Sequence, residues 1–176
     1  MKKMKFLGYL FLAVLCLGFV SCSDDDDDDT KNEIVYGSDS YDIHEGLVLN
    51  YGNYFSQGTY NLDLCLYTEG ISFDEEAENF VGSGKMLRVY MWCESAELTA
   101  GIYTYDPDSN EDANTFYYLG IVDKTNEITR LAAGTVEVTK DGNIYTIVVT
   151  GTDAAGKTIS AFYKGTLNKF EITVLV

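Results

Sequence analysis

An all-β domain is what this sequence predicts: an antiparallel β-sandwich or flattened small β-barrel of about nine to ten strands. Three observations predict it. From residue 34 onward, almost every segment alternates apolar and polar residues with period two, as half-buried strands do. Gly, Asp and Asn punctuate those segments at short intervals. No stretch carries a long helical period.

The elements follow in order. Residues 41–51 form the first clear strand, with His44 on its outward face beside Asp42 and Gly46. In residues 58–68, alternation sends Tyr60, Leu62, Leu64 and Leu66 inward and leaves Cys65 and Tyr67 outward. Residues 72–80 are the one helix candidate, at best two turns, because Ser72 and Glu75 have capping-box spacing. In residues 85–94, Leu87, Val89, Met91 and Cys93 point inward, and Arg88, Tyr90 and Trp92 alternate on the opposite face. Strands over 101–105 and 115–123 come next. Residues 134–139 then run into Lys140-Asp141-Gly142-Asn143 and return as 144–150. Asp-Gly between alternating runs is a strong hairpin signal, because that turn needs positive φ. It sets Val136 and Val138 against Tyr145, Ile147 and Val149. A second hairpin turns at Asp153-Ala154-Ala155-Gly156 into 157–167, with Ile159, Ala161, Tyr163 and Leu167 inward, and 170–176 is a terminal strand.

The first 33 residues read as an address. Lys2, Lys3 and Lys5 precede an apolar run from Phe6 to Val20. That run is short of the about 20 residues a membrane-spanning helix needs, and a charged start before it marks residues 1–21 as a removable secretion signal. Phe19-Val20-Ser21-Cys22 resembles the lipobox of bacterial lipoproteins, with Phe19 in place of the usual leucine. The resemblance implies a diacylglycerol on the Cys22 thiol, cleavage before Cys22 and acylation of the new amino terminus. Residues 22–33 then form an acidic tether. Its Ser23 is followed by six aspartates that repel one another and keep it extended. Ser23, Asp24, Asp25 and Asp26, directly after such a cysteine, also resemble the export signal of surface lipoproteins in Bacteroidetes-type bacteria. That implies an outer-membrane protein facing the medium. Gly134 to Ile147, Asp153 to Lys157, Tyr163 to Leu167 and Glu97 to Tyr105 are similar to the closing hairpins of such lipoproteins, and no activity comes with that similarity.

Residues 34–176 have the length of a single domain. Beyond residue 29 there are nine bases against 22 acids, a net charge of −13. Such a domain repels nucleic acid, whose binding rests on Lys and Arg contacts to phosphate. It repels an anionic membrane surface too, so the lipid is the expected membrane attachment. Cys16 leaves with the signal, and Cys65 and Cys93 face opposite ways, so both are expected as free thiols.

Little in the chain points to catalysis. His44 is the only histidine and falls on an outward face, whereas a nucleophilic triad needs a base beside a serine and a catalytic zinc needs several nitrogen or sulfur ligands, more than this histidine and two separated cysteines offer. A carboxylate-pair hydrolase needs two acids at a set separation, and nothing marks a pair among so many. Neither a cofactor nor a resident metal is expected. Asp106, Asp108, Asn110 and Asp112 place oxygens at alternate positions as a calcium loop does. However, Glu111 stands where glycine makes the turn, and Tyr117 where a bidentate glutamate belongs. The strip of Arg88, Tyr90 and Trp92, extended by Tyr67 if their strands are neighbours, is the candidate ligand surface, since Trp, Tyr and Arg are favoured anchors. The expected function is a non-catalytic surface binding module, with glycan the leading ligand. The alternative is a structural or adhesion protein that docks another surface protein, and a hydrolase comes third.

Overall fold

The computed structural model describes residues 30–53, 58–123 and 126–173. The signal segment 1–21, Cys22, Ser23 and aspartates 24–29 lie outside the described residues, as do the last three residues of the expected terminal strand. Among the described residues the architecture is all-β, with thirteen strands and no helix. In chain order the first seven are β1 (Glu33–Tyr36), β2 (Asp39–Asp42), β3 (Glu45–Asn50), β4 (Tyr60–Tyr67), β5 (Ile71–Asp74), β6 (Asn79–Gly82) and β7 (Met86–Cys93). The rest are β8 (Gly101–Tyr105), β9 (Thr115–Asp123), β10 (Asn126–Asp141), β11 (Ile144–Asp153), β12 (Thr158–Gly165) and β13 (Asn168–Glu171).

Eleven strands make one sheet in the order β13-β3-β4-β7-β9-β8-β10-β11-β12-β1-β2, and β5 and β6 form a separate hairpin. Only Ile43 and His44 separate β2, at one edge, from β3, next to the other edge. Chain connectivity therefore requires the sheet to curl until its two ends adjoin. Each of these two residues stays tied to its own end of the sheet: the Ile43 amide donates to the Asn32 carbonyl beside β1, and the His44 amide to the Tyr67 carbonyl of β4. β10 supports the curl, pairing with β9 through its first residues and with β8 further along, while β11 runs along its other side.

Alternation places the core correctly. Leu62, Leu64, Leu66, Leu87, Val89, Met91, Val136, Val138, Tyr145, Ile147, Val149 and Ile159 line the inside of the curled sheet in one buried cluster. Each fully buried aliphatic side chain contributes about 1.5–3 kcal/mol, and these contacts close a sheet that its hydrogen bonds alone would leave open. Cys93 lies in this cluster and Cys65 in a second one on the outer face, and both are free thiols.

Thirteen strands form where about nine to ten were expected, β1 among the additions, and four further details differ from the sequence reading. The strand expected over 41–51 is two strands, because the chain crosses between sheet ends at residues 43–44. The helix candidate over 72–80 is the β5–β6 hairpin: Asp74 Oδ1 accepts from the amides of Glu76 and Ala77, an Asx turn that captures the backbone donors a helix would need. The hairpin loop after β10 is Gly142-Asn143, one residue beyond Asp-Gly, with Gly142 at a φ of 57° as its first residue. Two pairings, β13 with β3 and β8 with β9, are parallel, so the sheet is mixed.

Candidate functional site

The outer face of β4, β7 and β9 is covered at both ends and open in the middle. At one end the β5–β6 hairpin lies over Tyr67, Cys65, Met86 and Val122. Phe80 meets Tyr67 edge-on at 5.6 Å, and Phe73 meets Phe80 at 5.1 Å and Phe170 at 5.0 Å. Tyr67 is thus buried under the hairpin and does not extend the aromatic strip, although β4 and β7 are neighbours as that extension required. Cys65, placed outward by alternation, is fully buried in the same layer.

At the other end the loop from Asp106 to Asn114 folds over Trp92. The Trp92 Nε1 donates to Ser109 Oγ at 3.4 Å, the Asn114 amide donates to the Trp92 carbonyl, and the ring is only 4% exposed. Ser109, Glu111 and Asn114 all take positive φ (52°, 63° and 62°). Such strain costs of order 1–3 kcal/mol per residue and tends to gather at functional sites. Asp106 holds the loop shut from within. Its carboxylate accepts from the amides of Asp108 and Asn110 and from the Asn110 side chain, and these bonds keep its carboxyl below the usual range. Of the calcium candidate residues Asp106, Asp108, Asn110 and Asp112, Asp106 is therefore committed as a hydrogen-bond acceptor to Asp108 and Asn110, while the Asp112 carbonyl accepts from Thr115 Oγ1. Among the described residues no group of three or more His, Cys, Asp or Glu is disposed to hold a metal.

Between these covers lies a groove made of two adjoining cavities of about 400 and 670 Å³, and Arg88 and Tyr90 line both. The smaller adds Tyr51, Asn61, Trp92 and Tyr117, with Ser109 and Glu111 from the strained loop. The larger adds Phe80, Tyr118, Glu127 and Arg130. Of the strip predicted from sequence, Arg88 and Tyr90 sit at the centre, and Trp92 forms a wall whose ring is largely covered.

A β-bulge sets the aromatic surface. Tyr90 pairs with Tyr118 and Met91 with Phe116, which leaves Tyr117 as an extra residue in β9. Phe116, Leu119 and Ile121 consequently point into the core, and two consecutive tyrosines reach the groove. Tyr90 stacks on Tyr118 (4.7 Å, 29°), and Tyr117 lies against Tyr90 (5.5 Å) and Trp92 (5.8 Å). Burial pushes the Tyr90 and Tyr117 hydroxyls up, and the Tyr51 hydroxyl up to about 12, so all three remain neutral and able to donate.

Beneath the rings is an ion pair that the sequence reading missed. Asp63, 1% exposed, accepts from Arg88 Nε at 2.6 Å and lies 2.5 Å from Arg88 Nη2. Burial lifts its carboxyl to about 6, against the opposing pull of Arg88. Arg88 itself is 26% exposed, held from below and presented to the groove. Cys65 adds a contact to Asp63 Oδ1 at 3.6 Å, and burial beside that carboxylate raises its thiol well above the usual value. The single histidine, His44, is exposed and stands apart from the groove lining.

Set against known protein families, curated proteins and solved structures, the chain finds no match.

Proposed function

We propose that this chain is a lipid-anchored bacterial surface protein whose β domain is a non-catalytic module that binds glycan. The observation that carries the reading is the groove: flat tyrosine faces and neutral hydroxyls around a guanidinium fixed by a buried carboxylate. Sugar rings present apolar faces to stack on such rings, and hydroxyls that pair with tyrosine, asparagine and arginine donors. A groove fixed by packed strands binds without ordering its own side chains, a cost of about 0.5–1.5 kcal/mol for each one immobilised. The anchor at Cys22 and the outer-membrane surface location rest on the lipobox and on the Ser23–aspartate resemblance.

Two features weigh for binding over the alternatives. Both edge strands, β2 and β13, have four residues and carry charges (Asp39 and Asp42; Lys169 and Glu171), a pattern that discourages docking by strand addition. The acids lining the groove, Glu111 and Glu127, belong to different cavities, and Asp63 is occupied by Arg88.

The test is titration of the full chain, purified in detergent, against a glycan panel beside Tyr117→Ala. Tyr117 is half-buried, and its bulge can keep its backbone without the ring. The expected outcome is a glycan bound by the wild type and at least tenfold more weakly by Y117A, with thermal midpoints within a few degrees. A panel with no binder, or a binder indifferent to Y117A, would sink the reading.

A further inference from the structure

The larger half of the groove has a chemistry of its own. The chain contains two arginines, Arg88 and Arg130, and both line this cavity, although the domain beyond the tether has a net charge of −13. The sheet register places them in one row. Arg88 on β7 pairs with Gly120 on β9, and Gly120 pairs with Arg130 on β10. Directly paired residues share a face, so both arginines project to the outer side, their backbones two strand spacings or about 10 Å apart. The residue between them is a glycine because Tyr118 folds back over it: a Cβ there would collide with the Tyr118 hydroxyl.

Each guanidinium lies over a tyrosine ring. Arg88 Cζ is 5.0 Å from the centre of Tyr90 and Arg130 Cζ is 4.7 Å from the centre of Tyr118, and those two rings stack on each other. Asp63 takes the Nε–Nη2 edge of Arg88 from below, and Glu127 takes the same edge of Arg130, the part that matches an acid group. The two existing partners differ. Asp63 is buried and holds Arg88 in place. Arg130 is 56% exposed and bonds Glu127 Oε2 at 3.0 and 3.1 Å, itself 41% exposed. An exposed pair of that kind contributes little, so an incoming acid group displaces Glu127 at little cost.

We infer that the groove takes an acidic saccharide, its ring against the rims of Tyr90 and Tyr118 and its carboxylate or sulfate on Arg130 in place of Glu127. This rests on the glycan reading above and specifies the class of glycan. Arg130 is the selecting residue, because it can be altered without disturbing the buried pair.

The test titrates the full chain with three probes: a neutral glucose hexasaccharide, a galacturonic acid hexasaccharide and a sulfated galactose oligosaccharide of similar length. An acidic probe should bind at least tenfold more tightly than the neutral one. Arg130→Gln should remove that preference, with acidic binding falling at least tenfold further than neutral binding and the thermal midpoint within a few degrees, and Glu127→Gln should strengthen acidic binding several-fold. Preference for the galacturonate or for the sulfated probe identifies the acid group, and either supports the inference. Equal binding of neutral and acidic probes, or an acidic preference that survives R130Q, overturns it and leaves the glycan reading intact. No binding of any probe, together with an empty glycan panel, overturns both.

Discussion

Asp63 and Arg88 depend on each other unequally, because burial differs between them. Removing Arg88 strands a carboxylate that is 1% exposed, whereas removing Asp63 leaves a guanidinium that is 26% exposed and can turn into the groove. Breaking a buried pair from the side that leaves a buried charge costs about 3–5 kcal/mol. Arg88→Gln should therefore lose about that much stability at pH 8 in urea denaturation, and Asp63→Asn about 1–2 kcal/mol. The pH dependence follows from the sign of the shift. The folded carboxyl, near 6, binds its proton before the unfolded one does, so this group adds stability as pH falls from about 6 toward 4. Arg88 opposes that rise, so R88Q moves the window upward, and its deficit should shrink markedly between pH 8 and pH 5. An equal deficit at both pH values would refute the pairing energetics. Arg88 was legible as a site residue because it alternates with Tyr90 and Trp92. Asp63 was not, since alternation says only which face it takes, and its burial comes from rings and a hairpin distant in sequence.

At the scale of elements, two local devices shape the groove, and they differ in how plainly the sequence shows them. The bulge at Tyr117 left a trace: Phe116, Leu119 and Ile121 are the apolar core positions of β9, and the step of three between the first two breaks period two. Strict alternation would have sent Tyr118 into the core and emptied half of the aromatic surface. The β5–β6 hairpin left a misleading trace, because Ser72 and Glu75 have the spacing of a helix start, while Asp74 closes an Asx turn that ends any helix there. What decides between them is tertiary. Phe73 and Phe80 pair across the hairpin and find Tyr67 and Phe170 on the large sheet, contacts that a two-turn helix would arrange differently. Phe73→Ala should thus cost about 2 kcal/mol, less than a fully buried phenylalanine, because the ring is half-buried. The informative readout is local. With the hairpin loosened, Cys65 should react with a thiol reagent much faster than in the wild type while Cys93, inside the main core, stays inert, as judged by peptide mapping. Equal protection of both cysteines would show that the hairpin is not what covers the outer face.

The curled sheet is the feature that strand assignment alone could not supply. Strand positions and inward residues were readable over most of the domain, but the sheet order turns on two residues, Ile43 and His44, that carry the chain between opposite ends. Curling brings nine strands' inward residues into one core and leaves two short, charged edges. The domain's position relative to a cell depends on charge. With −13 on the domain and six aspartates after Ser23, the composition repels an anionic bilayer, and the attachment we propose is lipid on Cys22. One acyl chain holds a protein only marginally, at about 0.8 kcal/mol per buried methylene, whereas the two or three implied by the lipobox hold it durably. Cys22→Ser should therefore move the protein from the membrane fraction to the soluble one, at low and at high salt alike, since no electrostatic term supports binding. Replacing aspartates 24–26 by alanine should leave it membrane-bound and change only its side, so that protease added to intact cells digests the wild type and spares the variant. A C22S protein retained by membranes would mean a second attachment, and digestion of both forms would separate the acidic run from export.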